Sequence, residues 1–195
     1  MTDHSIKLLL EPMPPQTEHE TLLFPISIDP AQEVYRDPYT VINRQTAHFD
    51  GFTKEYYCME KGLRAAIIPI RGHEILLTRQ YRFMANRISI EIPGGGVNGG
   101  EQPMDAAVRE CFEETGIRCL NPQPLINFQP GLDIYHNPSF IFVSEQLEDA
   151  DSANNERFLW MPFDEAESRV YAEEINDALS VIGILALAKR FRRPA

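Results

Sequence analysis

Three glutamates stand at i, i+3 and i+4, Glu110, Glu113 and Glu114, immediately after Arg109 and behind a glycine-rich stretch that ends at Glu101. From Gly95 to Ile117 the order is glycine, Glu101, Arg109-Glu110, apolar Cys111, Glu113-Glu114, Gly116 and apolar Ile117. Pro103 suits a first helical turn, Asp105 favours that end and Gly116 supplies a stop, so residues about 102 to 115 are expected to form a helix. At about 100° per residue, Met104, Ala107, Val108, Cys111 and Thr115 share a mostly apolar face, and the three glutamates cluster on another. Like charges at this spacing cost a few tenths of a kcal/mol per pair, roughly, and one arginine cannot cancel all three. Hard oxygen ligands on a short arc suit Mg2+ or Mn2+, which keep several waters and bridge to substrate phosphates. Three acidic residues alone would read as a solvated helix face; the setting of glycines, Glu101 and Arg109 is what points to chemistry.

The loop leading into this helix, from Glu91 to Glu101, holds five glycines and lets the backbone approach a ligand closely. Strand-like runs must carry the loop. Leu63 to Ile70 and Glu74 to Arg82 flank Arg71-Gly72-His73 in a hairpin pattern, and Ile88 to Ile92 leads into the glycines. After the helix, Pro124 to Phe128, Ser139 to Ser144 and Arg157 to Met161 read as further strands, and a final helix is expected from roughly Glu173 to Phe191. Upstream, Glu33 to Arg36, Tyr39 to Arg44 and Lys54 to Glu60 suggest a small antiparallel sheet with a turn at Asp50-Gly51. The expected organisation is an arm at 1–32, this sheet at 33–61 and the main domain at 62–195.

The chain of 195 residues can build one core with a small appendage, and its formal charge of -11 argues against a nucleic-acid backbone as partner. Cys58, Cys111 and Cys119 are odd in number and lack C-x-x-C spacing, which fits reduced thiols of a cytosolic protein. The N-terminal residues lack the pattern of a signal peptide, and the apolar run Val181 to Ala188 is too short for a membrane span. Val34, Val41, Ile42 and Tyr57 in the upstream sheet have little core of their own, and pairing across a two-fold axis would bury them, so a homodimer is expected.

The stretch from Gly95 to Ile117 is a complete match to the Nudix box, and the chain resembles the Nudix hydrolases. The resemblance implies an α/β fold, the Nudix α/β/α sandwich with a mixed sheet, preceded by the small N-terminal antiparallel sheet. It implies Mg2+ as cofactor, with Mn2+ the alternative, held by the Gly94 carbonyl, Glu110 and Glu114, with Glu113 assisting or binding a further ion. Glu101 and Arg109 resemble the pair that fixes the loop against the helix.

Arg79-Gln80-Tyr81-Arg82, Glu91 and Pro130 resemble the ADP-ribose and nucleoside-diphosphate-sugar pyrophosphatase branch. That likeness implies hydrolysis of the diphosphate in ADP-ribose or a related sugar nucleotide, giving a nucleoside monophosphate and a sugar phosphate. Arg82, then Arg79, are the candidates for gripping the substrate, with Glu91 and Arg109 in the same substrate-binding set. The chain departs from the branch at Gly94, where alanine is usual after the proline. In the branch, the region matching Glu145 to Glu156 brings a glutamate to the attacking water; Glu156 is the first candidate, Glu148 the second, and Glu113 the next if neither acts. Tyr135 and His136 are candidates for a specificity wall, and Trp160 is expected in the core. The alternatives are a Nudix hydrolase of dinucleoside polyphosphates or NTPs, and a non-catalytic nucleotide-sugar sensor.

Overall fold

In the computed structural model, residues 24–148 and 154–191 are described; the N-terminal part of the expected arm, 1–23, and residues 149–153 of the expected catalytic loop lie outside them. The strands in chain order are β1 Ser27–Ile28, β2 Gln32–Arg36, β3 Val41–Phe49, β4 Phe52–Glu60, β5 Arg64–Arg71, β6 Glu74–Arg82, β7 Arg87–Glu91 and β8 Gly94–Gly96. They continue with β9 Arg118–Leu120, β10 Gln123–Phe128, β11 Tyr135–His136, β12 Ser139–Ser144, β13 Gln146–Glu148 and β14 Phe158–Pro162. The helices are α1 Pro103–Thr115, α2 Phe163–Tyr171 and α3 Ala178–Phe191. The chain divides into two compact units, the first ending at Gly62 and including Gln129–Pro138, the second holding Leu63–Phe128 and the residues from Ser139 onward.

The first unit is a sheet built around the β3–β4 hairpin, whose two nine-residue strands pair from Val41 with Glu60 to Phe49 with Phe52. Asp50-Gly51 closes it as a two-residue turn, Gly51 taking φ +82, and the Phe49 and Phe52 rings stack at 4.7 Å. β1 and β2 add antiparallel to β3, so Ser27–Ile28 of the expected arm is strand. β11 adds parallel to β4, with His136 Nδ1 at 2.5 Å from Glu60 Oε2. The expected sheet is therefore extended by a distant segment, and Tyr135 and His136 lie in a strand of it.

The second unit is a mixed sheet in the order β10-β12-β5-β6-β14, with β7 beside β6 and β8 beside β5. β12 runs parallel to β5 and the other pairs are antiparallel. Strands buried on both faces read as continuous apolar runs, and β5 and β12 are of this kind: Ala65 to Ile68 are 0% exposed, and all of Ser139–Ser144 is buried. Alternation divides their side chains. Ala66, Ile68, Ile75, Leu77, Ile141, Val143, Leu159 and Met161 form one core with α2 and α3, through Phe163, Ala166, Val170, Ile184 and Leu187. α1 packs on β5, β8, β9 and β12. The result is the α/β/α sandwich with a mixed sheet that the sequence implies.

Two elements differ from expectation. α2 is an additional helix, with Phe163, Ala166 and Val170 turned inward, Asp164 and Glu165 in its first turn and Arg169 in its last. The terminal helix begins at Ala178 rather than near Glu173, because Glu173 takes φ +61 and cannot propagate a right-handed helix. Asp177 starts α3 instead: its Oδ2 accepts the Ser180 N–H at 3.0 Å and the Ser180 hydroxyl at 2.9 Å. Gly183 brings α3 down onto Ile68, Ile92 and Ile141, whose methyls lie 3.2–3.4 Å from where a Cβ would sit.

Candidate active site

α1 starts at Pro103 without a side-chain cap and ends at Gly116, which takes φ +78 and returns its N–H to the Phe112 carbonyl at 2.8 Å. Its buried stripe is Pro103, Ala106, Ala107, Cys111 and Thr115. Ala106 takes the place expected for Met104 and Val108, which are half-buried. This rotation changes the expected picture of three carboxylates on a face away from the core. At 100° per residue, Glu110 and Glu114 fall on the buried stripe itself, one turn apart, and Glu113 falls beside it. The three glycines of β8 give the two inward carboxylates room beneath the helix.

The fit is close. A Cβ at Gly95 would overlap the Glu110 carboxyl, and one at Gly94 would overlap the backbone of Ala65 and Ala66 in β5. The Gly94 N–H donates to Glu114 Oε2 at 3.1 Å, and the Gln80 amide donates to Glu114 Oε1. Arg109 is the brace between loop and helix: Nε and Nη2 reach Glu101 at 2.9 and 3.0 Å, Nη2 also reaches the Gly96 carbonyl at 3.0 Å, and Nη1 reaches Glu110 and Glu113 at 2.8 and 3.2 Å. Every side-chain nitrogen of Arg109, also expected in the substrate-binding set, is thus engaged within the loop and the helix. Its pairing with Glu101 raises its pKa further and holds the Glu101 carboxyl below the usual range.

Among the described residues, no three His, Cys, Asp or Glu side chains are drawn into a metal-holding cluster. Glu110 and Glu114 sit against consecutive glycines, while the Glu113 side chain is 56% exposed and lies outward on Arg109. Burial pushes the Glu114 pKa up, and the charge of Glu110 adds to this; the Gly94 N–H, the Gln80 amide and Arg82 act the other way. Two half-buried carboxylates that crowd each other's charge, on oxygen donors alone, fit a hard divalent ion that takes one or two carboxylates and leaves the rest of its shell to water and phosphate.

Strand alternation separates the residues of the Arg79–Arg82 quartet. Gln80 and Arg82 share one face of β6, where Gln80 meets Glu114 and Arg82 grips Glu91 through Nε, at 2.8 Å, and Nη2. Register puts Arg82 opposite Arg87 and Glu91 opposite Thr78, so the arginine lies back along the strand over Gln80. Burial would raise the Glu91 pKa, but hydrogen bonds from Arg82 and Ser89, with the charges of Arg82 and Arg64, hold it below its ordinary 4.5. Of the Arg82 fork, Nη1 has no part in this pair. Arg79 belongs to the opposite face and donates to the Asn155 carbonyl at 2.5 Å.

That contact bears on the water-activating candidates. The Asn155 side chain accepts the Arg157 and Phe158 N–H groups at 2.8 and 3.1 Å, and Arg157 Nη2 donates to the Glu113 carbonyl at 3.1 Å. Glu156 is exposed in a short bend whose flanking residues are tied to β6 and to the last turn of α1. Glu148 is not in a loop: it ends β13, paired with Arg118 of β9, and its carboxylate lies 3.5 Å from the Arg118 guanidinium. Trp160 is 4% exposed in β14, as expected for a core residue, with the Arg71 guanidinium over its ring at 4.1 Å.

The sequence placed Gln80 in the Arg79–Arg82 motif without a role of its own and pointed to nothing at Ser180. Gln80 is two residues from Arg82, so the period of a strand could have placed it on the same face. Ser180 accepts the Ile92 N–H at 2.9 Å from 88 residues away, a contact with no local signal.

Residues 60–180 match the NUDIX domain. A CMP-5'-(N-acetyl-N-hydroxy-3-aminopropyl)phosphonate hydrolase of Streptomyces rubellomurinus is 30% identical over 129 residues, 63% of each chain. An ADP-ribose pyrophosphatase of Bacillus subtilis is 28% identical over 121 residues, 57% of this chain and 63% of its own. The chain thus spans 63% of the length of each of these relatives. Among solved structures, the crystal structure of an ADP compounds hydrolase is similar with a TM-score of 0.73 at 17% identity, covering 87% of this chain and 94% of that one, a likeness of fold.

Proposed function

The chain belongs to the NUDIX domain family, and from that premise we propose that it is a Mg2+-dependent pyrophosphohydrolase that cleaves the diphosphate of ADP-ribose or a related nucleoside-diphosphate sugar. The observation that carries the reading is the pair Glu110 and Glu114, seated against Gly95 and Gly94 and braced by Arg109. Glu110, Glu114 and the Gly94 carbonyl would hold the metal, with Glu113 available to a further ion. When bound, the metal neutralises diphosphate charge and lowers the pKa of a coordinated water. The protein's own groups supply the rest. Glu156 takes the proton of the attacking water, the oxygen of that water bonds to phosphorus, and the bridging P–O bond breaks. For ADP-ribose the products are AMP and ribose 5-phosphate.

The substrate class is supported by the names of the relatives, one an ADP-ribose pyrophosphatase and one a hydrolase of a CMP-linked phosphonate. In both names a nucleotide is joined to a second organic group. Nη1 of Arg82, which takes no part in the Glu91 pair, would bond a phosphate oxygen at the same face. The protein is proposed to act in the cytoplasm; no helix among the described residues is long and apolar enough to cross a membrane. It is further proposed to be a homodimer through residues 33–61, where Val34 and Tyr57 are 47% and 51% exposed. A monomeric mass by light scattering at micromolar concentration would exclude the dimer.

The test is a hydrolysis screen at one Mg2+ concentration over ADP-ribose, other nucleoside-diphosphate sugars, dinucleoside polyphosphates and NTPs, with Glu114→Gln beside the native protein. ADP-ribose or a sugar nucleotide is expected to lead in kcat/KM, and Glu114→Gln to lower turnover by about 100-fold or more with an unchanged Tm. A tenfold preference for an NTP or dinucleoside polyphosphate would move the substrate. Submicromolar sugar-nucleotide binding with negligible turnover would make the protein a sensor.

A further inference from the structure

Glu91 of β7 and Glu114 of α1 both meet side chains from one face of β6, Arg82 and Gln80, and they are held in different ways. Glu91, 5% exposed, is gripped by the Arg82 guanidinium through two nitrogens. Its charge is neutralised at contact distance. Glu114 is held on both oxygens as well, Oε1 by the Gln80 amide and Oε2 by the Gly94 N–H, but both donors are neutral. A neutral donor fixes a carboxylate's rotamer and leaves its full negative charge to act on something else.

We infer that Gln80 is a positioning residue for the metal site: its amide fixes the Glu114 carboxylate without neutralising it, so that the charge remains for the cation. The inference rests on the proposed metal role of Glu114. An alternating strand must place some side chain at 80 beneath Glu114, and two residues on it places Arg82 at Glu91. A cation at 80 would occupy Glu114 as Arg82 occupies Glu91 and would compete with the metal. An apolar side chain would leave one carboxylate oxygen without its donor and the side chain free to turn. Glutamine satisfies both demands.

The experiment compares Mn2+ affinity, read from the free-ion electron paramagnetic resonance signal, and Tm for the full-length native protein, Gln80→Ala, Gln80→Lys and Glu114→Gln. Gln80→Ala is expected to weaken Mn2+ binding by about 10- to 100-fold, the usual effect of losing a group that orients a metal ligand. Gln80→Lys is expected to weaken it more than Gln80→Ala while its Tm stays level or rises, because a new ion pair forms at Glu114. A merely structural role would move affinity and Tm together. In kinetics, the defect of Gln80→Ala should lie in the Mn2+ concentration for half-maximal rate and not in KM for the nucleotide. If Glu114→Gln loses Mn2+ binding while both Gln80 variants keep it, the inference falls and the metal reading stands. If Glu114→Gln itself binds Mn2+ as the native protein does, both fall.

Discussion

The two units contain strands of similar length that are stabilised differently. β5 and β12 of the second unit are covered on both faces, and their side chains are almost fully removed from water. β2 to β4 of the first unit are half-exposed or exposed along nearly their whole length, with Val34, Tyr35, Phe52 and Tyr57 all open to solvent. One sheet is held by burial, which is worth about 1.5 to 3 kcal/mol for a fully buried aliphatic side chain. The other is held by its hydrogen-bond ladder and by cross-strand pairs worth about 0.2 to 1 kcal/mol each. Candidate chemistry sits on the first kind, since inward carboxylates keep their geometry only where the surrounding packing cannot yield.

The contrast is most easily broken by truncation. Leu77→Ala, at a site 0% exposed, should lower the unfolding free energy by about 2 to 5 kcal/mol, and Tyr57→Ser by about 0.5 kcal/mol or less, both read from urea denaturation. A cost for Tyr57→Ser as large as that for Leu77→Ala would show that a second copy covers the first unit, and it should then fall on dilution.

Within the second unit, position decides between Glu156 and Glu148. Glu156→Gln should reduce kcat by about 10-fold, about 1.4 kcal/mol, with little change in metal affinity, and Glu148→Gln, paired with Arg118 in a strand, should remain within about twofold of native. Impairment of Glu148→Gln alone would reverse the assignment, and two unimpaired variants would return the role to Glu113. A smaller effect depends on pH. The Glu91 pKa is lowered on folding, so its stabilising contribution is full above its ordinary 4.5 and is lost as pH falls through the folded value. Glu91→Gln should be less stable than the native protein at pH 7, and the gap should close on acidification below that window, measured by urea midpoints at fixed ionic strength. At the hairpin end of the first unit, Phe52→Ala removes the stack on Phe49 and should cost about 0.5 to 1.5 kcal/mol.

Local features were legible in the sequence. Pro103, Asp105 and Gly116 mark α1 by themselves, and the strands from Arg64 to Glu91 follow from their apolar runs and the turn at Gly72. Other features depend on contacts between distant residues. Which side of α1 faces the sheet is decided by the space that β8 leaves, so Glu110 and Glu114 proved to be inward and Glu113 outward. β9 and β13 are three residues each, too short to show a period, and their pairing is what takes Glu148 out of the loop. α2 did leave a signal, with Phe163, Ala166 and Val170 at helical spacing, but no glycine or proline marks the break before α3.

The lead-in to the candidate site is fastened at three consecutive residues to three different elements: the Ile92 N–H to Ser180 of α3, the Pro93 carbonyl to the Ile67 N–H of β5 at 3.0 Å, and the Gly94 N–H to Glu114 of α1. Ser180 is made 66 residues after Glu114. During synthesis, at about 5 to 20 residues per second, the box helix and its carboxylates are complete several seconds before the residue that tethers their glycine loop exists. Of the three fastenings of the loop, the one to Ser180 is therefore the last that the growing chain can make.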